Sequence, residues 1–84
     1  MLQQNFPNPF NPVTEIRYQI PKASHVTITV YNVMGQEVAK LVYESKPVGI
    51  YTIKWDASGV ASGTYFYRIV AGNFTQIRKM IVIK

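Results

Sequence analysis

Apolar and polar side chains alternate along most of this chain, and a period of two residues is typical of a β-strand that buries one face. The alternation is regular in residues 14–20, 25–31 and 50–55. The side chains expected to point inward from these runs are Ile16, Tyr18, Ile20, Val26, Ile28, Val30, Tyr51, Ile53 and Trp55. We therefore predict three strands, each with one face in a hydrophobic core.

Three further segments predict strands with a less regular pattern. In residues 37–43 the alternation is broken, so we expect either a strand with a β-bulge or a short helical turn. The residues that break it are Val38, Leu41 and Val42. Residues 64–70 are apolar on both faces, which is typical of a central strand. Residues 74–83 are rich in β-branched side chains and predict the last strand.

Turn-forming residues separate these runs. Pro21 ends the first run, and Gly35 lies in the turn that follows the second. Residues 56–63 form a loop rich in glycine and serine. Gly72 and Asn73 predict a tight hairpin turn, because both residue types tolerate positive φ.

Six or so strands with a turn about every ten residues predict an all-β protein, an immunoglobulin-like antiparallel β-sandwich of about six to seven strands. Spacing alone does not separate a sandwich from a small barrel. A sandwich is favoured because the strand at residues 64–70 needs cover on both faces, or aromatic side chains on an exposed face. No segment has the period of a helix.

A proline-rich lead-in, residues 1–12, precedes the strands. Its prolines are Pro7, Pro9 and Pro12. Each proline fixes φ and keeps the preceding residue out of the helical region, so the lead-in is expected to be extended. Two interpretations are open: Phe6 and Phe10 attach the lead-in to the body, or the lead-in is a stiff linker between domains. We divide the chain into this lead-in and one β-sandwich domain, residues 13–84.

Composition limits the chain to a single folded domain. It has 84 residues, 48% of them hydrophobic and 15% charged, which supports a packed core. It has no cysteine, so packing must stabilise the fold without disulfides or thiolate sites. No apolar run is long enough to predict a membrane span. Residues 1–4 lack the features of a signal peptide, so if the protein is exported, its export signal lies upstream of them.

The net charge of +5 and the isoelectric point near 9.7 raise the possibility of nucleic-acid binding. The positive side chains are, however, scattered along the sequence, and they concentrate only in the last stretch. Basic residues on a small β-domain usually form a solvated face. We therefore expect no nucleic-acid partner.

Candidate catalytic residues are few and dispersed. The only histidine, His25, follows Ser24 at the start of a predicted strand, where neighbours point to opposite faces, so the two do not form part of a triad. The four carboxylates, on separate strands or loops, are Glu15, Glu37, Glu44 and Asp56. We predict no catalytic residue, no metal site and no cofactor.

The aromatic side chains allow two interpretations. Trp55 and the six tyrosines either belong to the core or form a platform that stacks on sugars, and their inward positions favour the core. Tyr65 or Tyr67 is expected to hydrogen-bond a neighbouring loop, as a corner tyrosine does in β-sandwiches.

Several motifs together resemble a known family along essentially the whole chain. They lie at residues 2–12, 14–18, 30–38, 49–56, 62–68 and 79–84, with the sequences LQQNFPNPFNP, TEIRY, VYNVMGQEV, GIY leading to WD, SGTYFYR and KMIVIK. In these motifs the chain resembles the type A C-terminal sorting domains of the bacterial type IX (Por) secretion system. The first and last motifs are individually distinctive, and the middle ones are less so.

The resemblance implies a non-catalytic sorting signal at the end of a secreted parent protein, after its N-terminal cargo domains. It implies transit through the periplasm and recognition by an outer-membrane translocon. A sortase-like peptidase then usually removes the domain and anchors the cargo at the cell surface. The family is immunoglobulin-like and similar to a domain of flagellar hook-capping proteins. The residues implied in recognition are Pro7, Asn8, Pro9, Gly49, Tyr51, Gly63, Tyr65, Lys79, Ile81, Ile83 and Lys84.

The residues also indicate how a receptor could recognise the chain. A basic terminal strand offers main-chain donors and acceptors for strand addition, with Lys79 and Lys84 setting the register. The alternative is that this strand is merely the last strand of the core. Two other functions remain open: a carbohydrate-binding or adhesion module of a surface enzyme, and an assembly scaffold of the hook-capping kind.

Overall fold

The computed structural model describes all residues from 1 to 84 and contains six β-strands and no helix. The strands are β1 Val13–Ile20, β2 Ser24–Asn32, β3 Glu37–Lys46, β4 Gly49–Asp56, β5 Gly63–Ala71 and β6 Phe74–Val82. All six predicted strands are confirmed. No helix is present that has the length and apolar character needed to span a bilayer.

The strands form two antiparallel sheets that face each other as a β-sandwich. One sheet contains β1 and β4, and the other has the order β3-β2-β5-β6. The all-β sandwich expected from the sequence is therefore confirmed. Consecutive strands pair as hairpins in β2–β3 and β5–β6, whereas the pairs β1–β4 and β2–β5 join strands that are distant in sequence.

Strict alternation places every second residue of β1 in the core. Ile16, Tyr18 and Ile20 are buried, and the polar residues between them are exposed. In the partner strand, Tyr51 lies opposite Tyr18, and their rings stack with centroids 5.4 Å apart. This small sheet therefore presents one apolar face to the larger sheet.

The core continues across the inner face of the four-stranded sheet. Its sixteen hydrophobic members are Leu2, Phe10, Ile16, Tyr18, Ile20, Val26, Ile28, Val30, Val42, Trp55, Ala57, Tyr65, Tyr67, Ile69, Met80 and Val82. Complete burial of a large apolar side chain contributes about 1.5–3 kcal/mol. In a chain without disulfides, this cluster is the main source of stability.

The irregular pattern of β3 is explained by two bulges. Its pairing with β2 skips Leu41 and, closer to the turn, Val38. Each skipped residue is an extra residue on β3, so the side chains that follow it change face. Of the two expectations for this segment, the bulged strand is correct and the helical turn is wrong.

Strand β5 has different surroundings on its two faces. Tyr65, Tyr67 and Ile69 are buried on the inner face, whereas Phe66 and Arg68 on the outer face are only half-buried. No second layer covers this outer face. The strand is central in its sheet, as predicted, but the cover on one side comes only from neighbouring side chains.

The tight hairpin turn predicted between β5 and β6 is confirmed, since Ala71 pairs with Phe74 and only Gly72 and Asn73 lie between them. Gly72 has φ of +58°, whereas Asn73 does not have positive φ. Glycine at the first of two central positions is typical of a type II′ turn, in which the second residue keeps negative φ.

Candidate recognition surface at the lead-in and terminal strand

β6 is an edge strand, and the chain's own lead-in covers its outer edge. The main-chain amide of Phe10 donates to the carbonyl oxygen of Ile81 at 3.1 Å, and the amide of Ile83 donates to the carbonyl of Phe10 at 2.9 Å. Phe10 thus forms a parallel bridge with β6 at Val82. The lead-in takes the place of an additional strand at this end of the sheet.

Side chains of the lead-in extend this contact along β6. The side-chain oxygen of Asn8 accepts a hydrogen bond from the Ile81 amide at 2.9 Å, and the Gln4 amide nitrogen donates to the carbonyl of Lys79 at 2.7 Å. Further along, Arg78 donates to the carbonyl of Leu2 at 2.7 Å. The Lys79 carbonyl, both main-chain groups of Ile81 and the Ile83 amide, which strand addition would use, are therefore already bonded.

The first part of the lead-in pairs with β1, in the opposite sheet. Gln3 donates to the carbonyl of Arg17, and Phe6 and Glu15 exchange two main-chain hydrogen bonds of 2.9 Å. Because the same segment bonds to β1 and then to β6, it connects the two sheets at their edges. The expectation that the terminal strand offers free main-chain groups to a receptor is wrong for this part of β6.

Buried polar groups fix the conformation of the lead-in. The Asn5 amide donates to the hydroxyl of Tyr67 at 2.8 Å, and that hydroxyl donates to the carbonyl of Gln3 at 2.7 Å. The Asn5 side chain donates to the Thr14 hydroxyl at 2.9 Å, and Thr14 donates to the carbonyl of Pro7 at 2.8 Å. Burial raises the pKa of Tyr67 to about 12, against smaller opposing effects of the Asn5 hydrogen bond and the Arg78 charge.

Of the two lead-in phenylalanines, only Phe10 attaches the segment to the core. Phe10 is 3% exposed, and its ring lies 5.9 Å from that of Trp55. Phe6 is 79% exposed, so its expected anchoring role is wrong. Leu2 is the second apolar anchor and is buried beside Tyr18, with which it forms a bridge.

The end of the chain is held against the loop after β4. The Lys84 amide donates to the hydroxyl of Ser62 at 3.0 Å, and its ammonium group donates to the carbonyls of Ser58 and Val60. Hydrogen bonds from Ser58, assisted by the Lys84 charge, lower the pKa of Asp56 in this loop. Lys84 therefore has defined partners, although its side chain remains exposed.

Gly63 and Tyr65 lie at the start of β5, next to the end of β6. Gly63 has φ of +148°, a conformation that side-chain-bearing residues avoid, and pairs with Val82. The Tyr65 hydroxyl donates to the carbonyl of Ala61 at 2.8 Å, which confirms a loop hydrogen bond for Tyr65. Tyr67 bonds the lead-in instead of a loop.

The structure does not bring all the implied recognition residues together. Gly49 pairs with Ile20 at the opposite end of the small sheet. There the Tyr51 hydroxyl donates to the carbonyl of Pro47 at 2.7 Å, and the Lys46 ammonium lies 4.9 Å from the Tyr51 ring centre. A methyl group on Gly49 would lie 3.3 Å from the Tyr51 hydroxyl, a tight contact that the Tyr51 side chain would have to relieve by a small shift.

The remaining implied residues lie at one end of the molecule. We name the exposed ones the terminal surface, which comprises Pro7, Asn8, Pro9, Lys79, Ile81, Ile83 and Lys84. Sequence analysis missed Asn5, Gln4 and Thr14, which hold this surface in place. Thr14 occupied an inward position of the alternating run, and a polar residue there indicates a buried hydrogen-bond partner. No comparable pattern marked Asn5.

The side chains that could take part in catalysis or bind a metal ion lie apart from one another. His25 is exposed, and its ring packs nearly perpendicular to the Tyr43 ring with the ring centres 4.7 Å apart. The Ser24 hydroxyl donates to the carbonyl of Lys22. No three histidine or carboxylate side chains come together. Most of the aromatic residues are buried or half-buried, as the core interpretation predicted; Tyr43 is the exposed tyrosine.

The sequence matches a known protein family. The family described as "Secretion system C-terminal sorting domain" matches residues 4–84. The chain belongs to this family. It is therefore a sorting signal of the type IX secretion system, which directs its parent protein to secretion or to the cell surface. The matched range includes most of the lead-in together with all six strands.

A solved structure shows the same fold. The sorting domain superposes with a TM-score of 0.70 and 19% identity on PorZ, described as an essential bacterial surface component of the type-IX secretion system of Porphyromonas gingivalis. The match covers 96% of this chain and 11% of PorZ, so the chain corresponds to a small part of that protein. No curated protein matches the sequence.

Proposed function

We propose that the sorting domain carries its cargo through the periplasm to an outer-membrane translocon, which recognises the folded domain at its terminal surface. A sortase-like peptidase then removes the domain from the cargo. The domain itself performs no catalysis in this scheme. The family match supports the sorting role, and the geometry of the lead-in supports the choice of surface.

The observation that carries the proposal is the bonding of the lead-in to the terminal strand. The Asn8 side chain and the Phe10 main chain together occupy the amides of Ile81 and Ile83. Two motifs that are about seventy residues apart in sequence therefore form one surface. A receptor that contacts this surface can distinguish a folded domain from an unfolded chain with the same terminal sequence.

The implied residues divide into two roles under this proposal. Those of the terminal surface contact the translocon, with exposed Lys79 and Lys84 supplying positive charge. Gly63 and Tyr65 fix the conformation of the neighbouring start of β5 and so act indirectly. Gly49 and Tyr51 stabilise the far end of the small sheet and act through the fold.

We further propose that the domain is immunoglobulin-like and shares this architecture with the hook-capping domain. The strand order supports the assignment, because β1–β4 and β3-β2-β5-β6 correspond to the two sheets of such sandwiches, with β2, β5 and β6 as the C, F and G strands. Tyr65, near the start of β5, donates to a main-chain carbonyl four residues upstream, as a tyrosine corner does. In this assignment residues 1–12 supply the first strand and residues 13–84 the rest.

Export of a reporter protein tests the proposal. Residues 1–84 are fused to the C-terminus of a reporter that carries a signal peptide, in a host with a functional type IX system and in the same host without its translocon. We expect the reporter in the medium or on the cell surface only in the first host. A reporter that stays in the periplasm of both hosts would contradict the proposal.

A matched pair of variants tests the terminal surface. Asn8 and Asn11 are both exposed and both precede a proline, but only Asn8 bonds to the terminal strand. We expect Asn8→Ala to lower export of the reporter and Asn11→Ala to leave it unchanged. Equal export of the two variants would exclude Asn8 from the recognised surface.

A further inference from the structure

The outer face of the four-stranded sheet is an uncovered surface with a defined composition. Its central strand presents Phe66 and Arg68, which are half-buried by their neighbours. Register places Tyr31 opposite Phe66 on one side, and Ile77 opposite Arg68 on the other. Ile77 is 57% exposed, and Val33 and Met34 in the adjoining turn are also exposed. We name this surface the outer face.

Arg68, at the centre of the outer face, is fixed in position. Its guanidinium group donates to the Tyr31 hydroxyl at 2.6 Å and lies 5.0 Å from the centre of the Tyr31 ring. Its Nε is buried without a hydrogen-bond partner. An arginine already held against an aromatic ring loses little conformational freedom on binding, and arginine and tyrosine are enriched among the residues that dominate binding energy.

The charges of the outer face are predominantly positive. Lys40 and Lys79 lie on the outer strands of the sheet, and together with Arg68 they outnumber the single carboxylate of Glu37. The two ion pairs of the domain, Glu44–Lys46 and Glu15–Lys54, involve none of these four side chains. The positive charge of the outer face is therefore not neutralised within the domain.

We propose that the outer face docks an acidic protein surface of the secretion machinery, with carboxylates around an apolar patch that covers Phe66 and Ile77. The inference rests on the proposed export function and adds a second contact, which adjoins the terminal surface at Lys79. Complementary charge selects and orients the partner, and the aromatic and apolar side chains supply buried area.

Two other occupants fit the outer face less well. A second copy of the domain would bring like charges together. An anionic membrane is typically bound by clusters of about four to eight flexible basic side chains. The outer face has only two exposed lysines and one immobilised arginine. A folded acidic partner fits this arrangement better than either.

Two double variants with the same change in charge test the inference. Lys40→Glu/Ile77→Glu alters the outer face, and Lys54→Glu/Ile50→Glu alters the exposed face of the small sheet, where Ile50 is 65% exposed. Neither pair includes a residue of the terminal surface. Circular dichroism melting of each purified domain verifies that both fold.

We expect the outer-face variant to lower the initial rate of reporter export about tenfold, since charge complementarity governs association, and the control variant to change it less than about twofold. Arg68→Met, which keeps the aliphatic stem, should also lower the rate. Equal export of the two folded double variants would overturn the inference, whereas failure of the wild-type reporter would overturn the export function itself.

Two solution measurements separate the other occupants. Sedimentation velocity would show a dimer that the Lys40→Glu/Ile77→Glu variant abolishes, if a second copy occupied the outer face. Sedimentation with phosphatidylglycerol vesicles would show binding that the same variant abolishes, if the occupant were a membrane. Either result would overturn the inference, and we expect a monomer that does not bind vesicles.

Discussion

The side-chain oxygen of Asn8 accepts a hydrogen bond from the main-chain amide of Ile81 at 2.9 Å, and thereby joins the lead-in to the terminal strand. An asparagine side chain here substitutes for the main-chain carbonyl of a neighbouring strand. The sheet edge is thus closed where the proline-rich backbone cannot continue a regular ladder.

Removal of this hydrogen bond should weaken the domain slightly. A typical intramolecular hydrogen bond contributes about 0.5–1.5 kcal/mol, so we expect Asn8→Ala to lower the free energy of unfolding by about 1 kcal/mol. Asn11→Ala, which removes no hydrogen bond found in the structure, should change it by less than about 0.5 kcal/mol. Urea denaturation of the purified domains measures both values. Equal decreases in the free energy of unfolding would show that the hydrogen bond between Asn8 and Ile81 does not stabilise the domain.

The two phenylalanines of the lead-in should differ strongly in their effect on stability. Phe10→Ala leaves a cavity beside Trp55, and such substitutions cost about 3–5 kcal/mol. Phe6→Ala removes a side chain that is 79% exposed and should cost less than about 0.5 kcal/mol. Thermal and urea denaturation test the pair. Similar costs for the two variants would contradict the placement of Phe10 in the core.

Gly63 and Gly59 provide a matched test of backbone conformation. An added methyl group would meet no atom within 4 Å at either position, but only Gly63 has φ in the range that disfavours side chains. We therefore expect Gly63→Ala to lower the free energy of unfolding by about 1–3 kcal/mol and Gly59→Ala to leave it nearly unchanged. If urea denaturation showed no difference between the two variants, alanine would be able to adopt the backbone conformation of Gly63 without strain.

Stability should fall at alkaline pH because of Tyr67. Its pKa is raised to about 12 in the folded domain, against 10.0 for the unperturbed group. Below pH 10 the hydroxyl is protonated in both states, so the stabilisation is complete. Between pH 10 and 12 only the unfolded state loses the proton, and the free energy of unfolding should fall by about 2–3 kcal/mol.

The control for this pH dependence is Tyr67→Phe, which has no hydroxyl to ionise. This variant should be less stable at neutral pH, because the amide of Asn5 and the carbonyl of Gln3 lose their buried partner. Its decline in stability between pH 10 and 12 should be smaller, with the remainder arising from Tyr18, whose pKa burial also raises. An unchanged decline would assign the effect to other groups.

Much of the fold could be predicted from the sequence, because the alternation of apolar and polar residues follows directly from the geometry of a β-strand. Ile16, Tyr18 and Ile20 point inward because successive side chains of a strand point to opposite faces. The break at Leu41 indicated an irregularity, and the extra residue in the ladder explains it. The sheet order and the pairing of β1 with β4 could not be obtained this way, because they depend on contacts that are distant in sequence.

The candidate site was less accessible to sequence analysis. The resemblance placed recognition residues in both the lead-in and the terminal strand, but no local pattern indicated that the two segments bond to each other. Phe6 and Phe10 have similar local sequences, and only the path of the lead-in across the two sheets decides which one is buried. Asn5 is buried for the same reason, since its partners Thr14 and Tyr67 lie on two different sheets.

Amide hydrogen exchange of the isolated domain tests most directly whether the lead-in closes the edge of the terminal strand. The amides of Ile81 and Ile83 are bonded to Asn8 and Phe10, whereas the Gly59 amide has no such partner. We expect the first two to exchange at least about tenfold more slowly than Gly59 after correction for intrinsic rates. Exchange of Ile81 and Ile83 as fast as Gly59, in a domain whose β5 amides remain protected, would contradict the account.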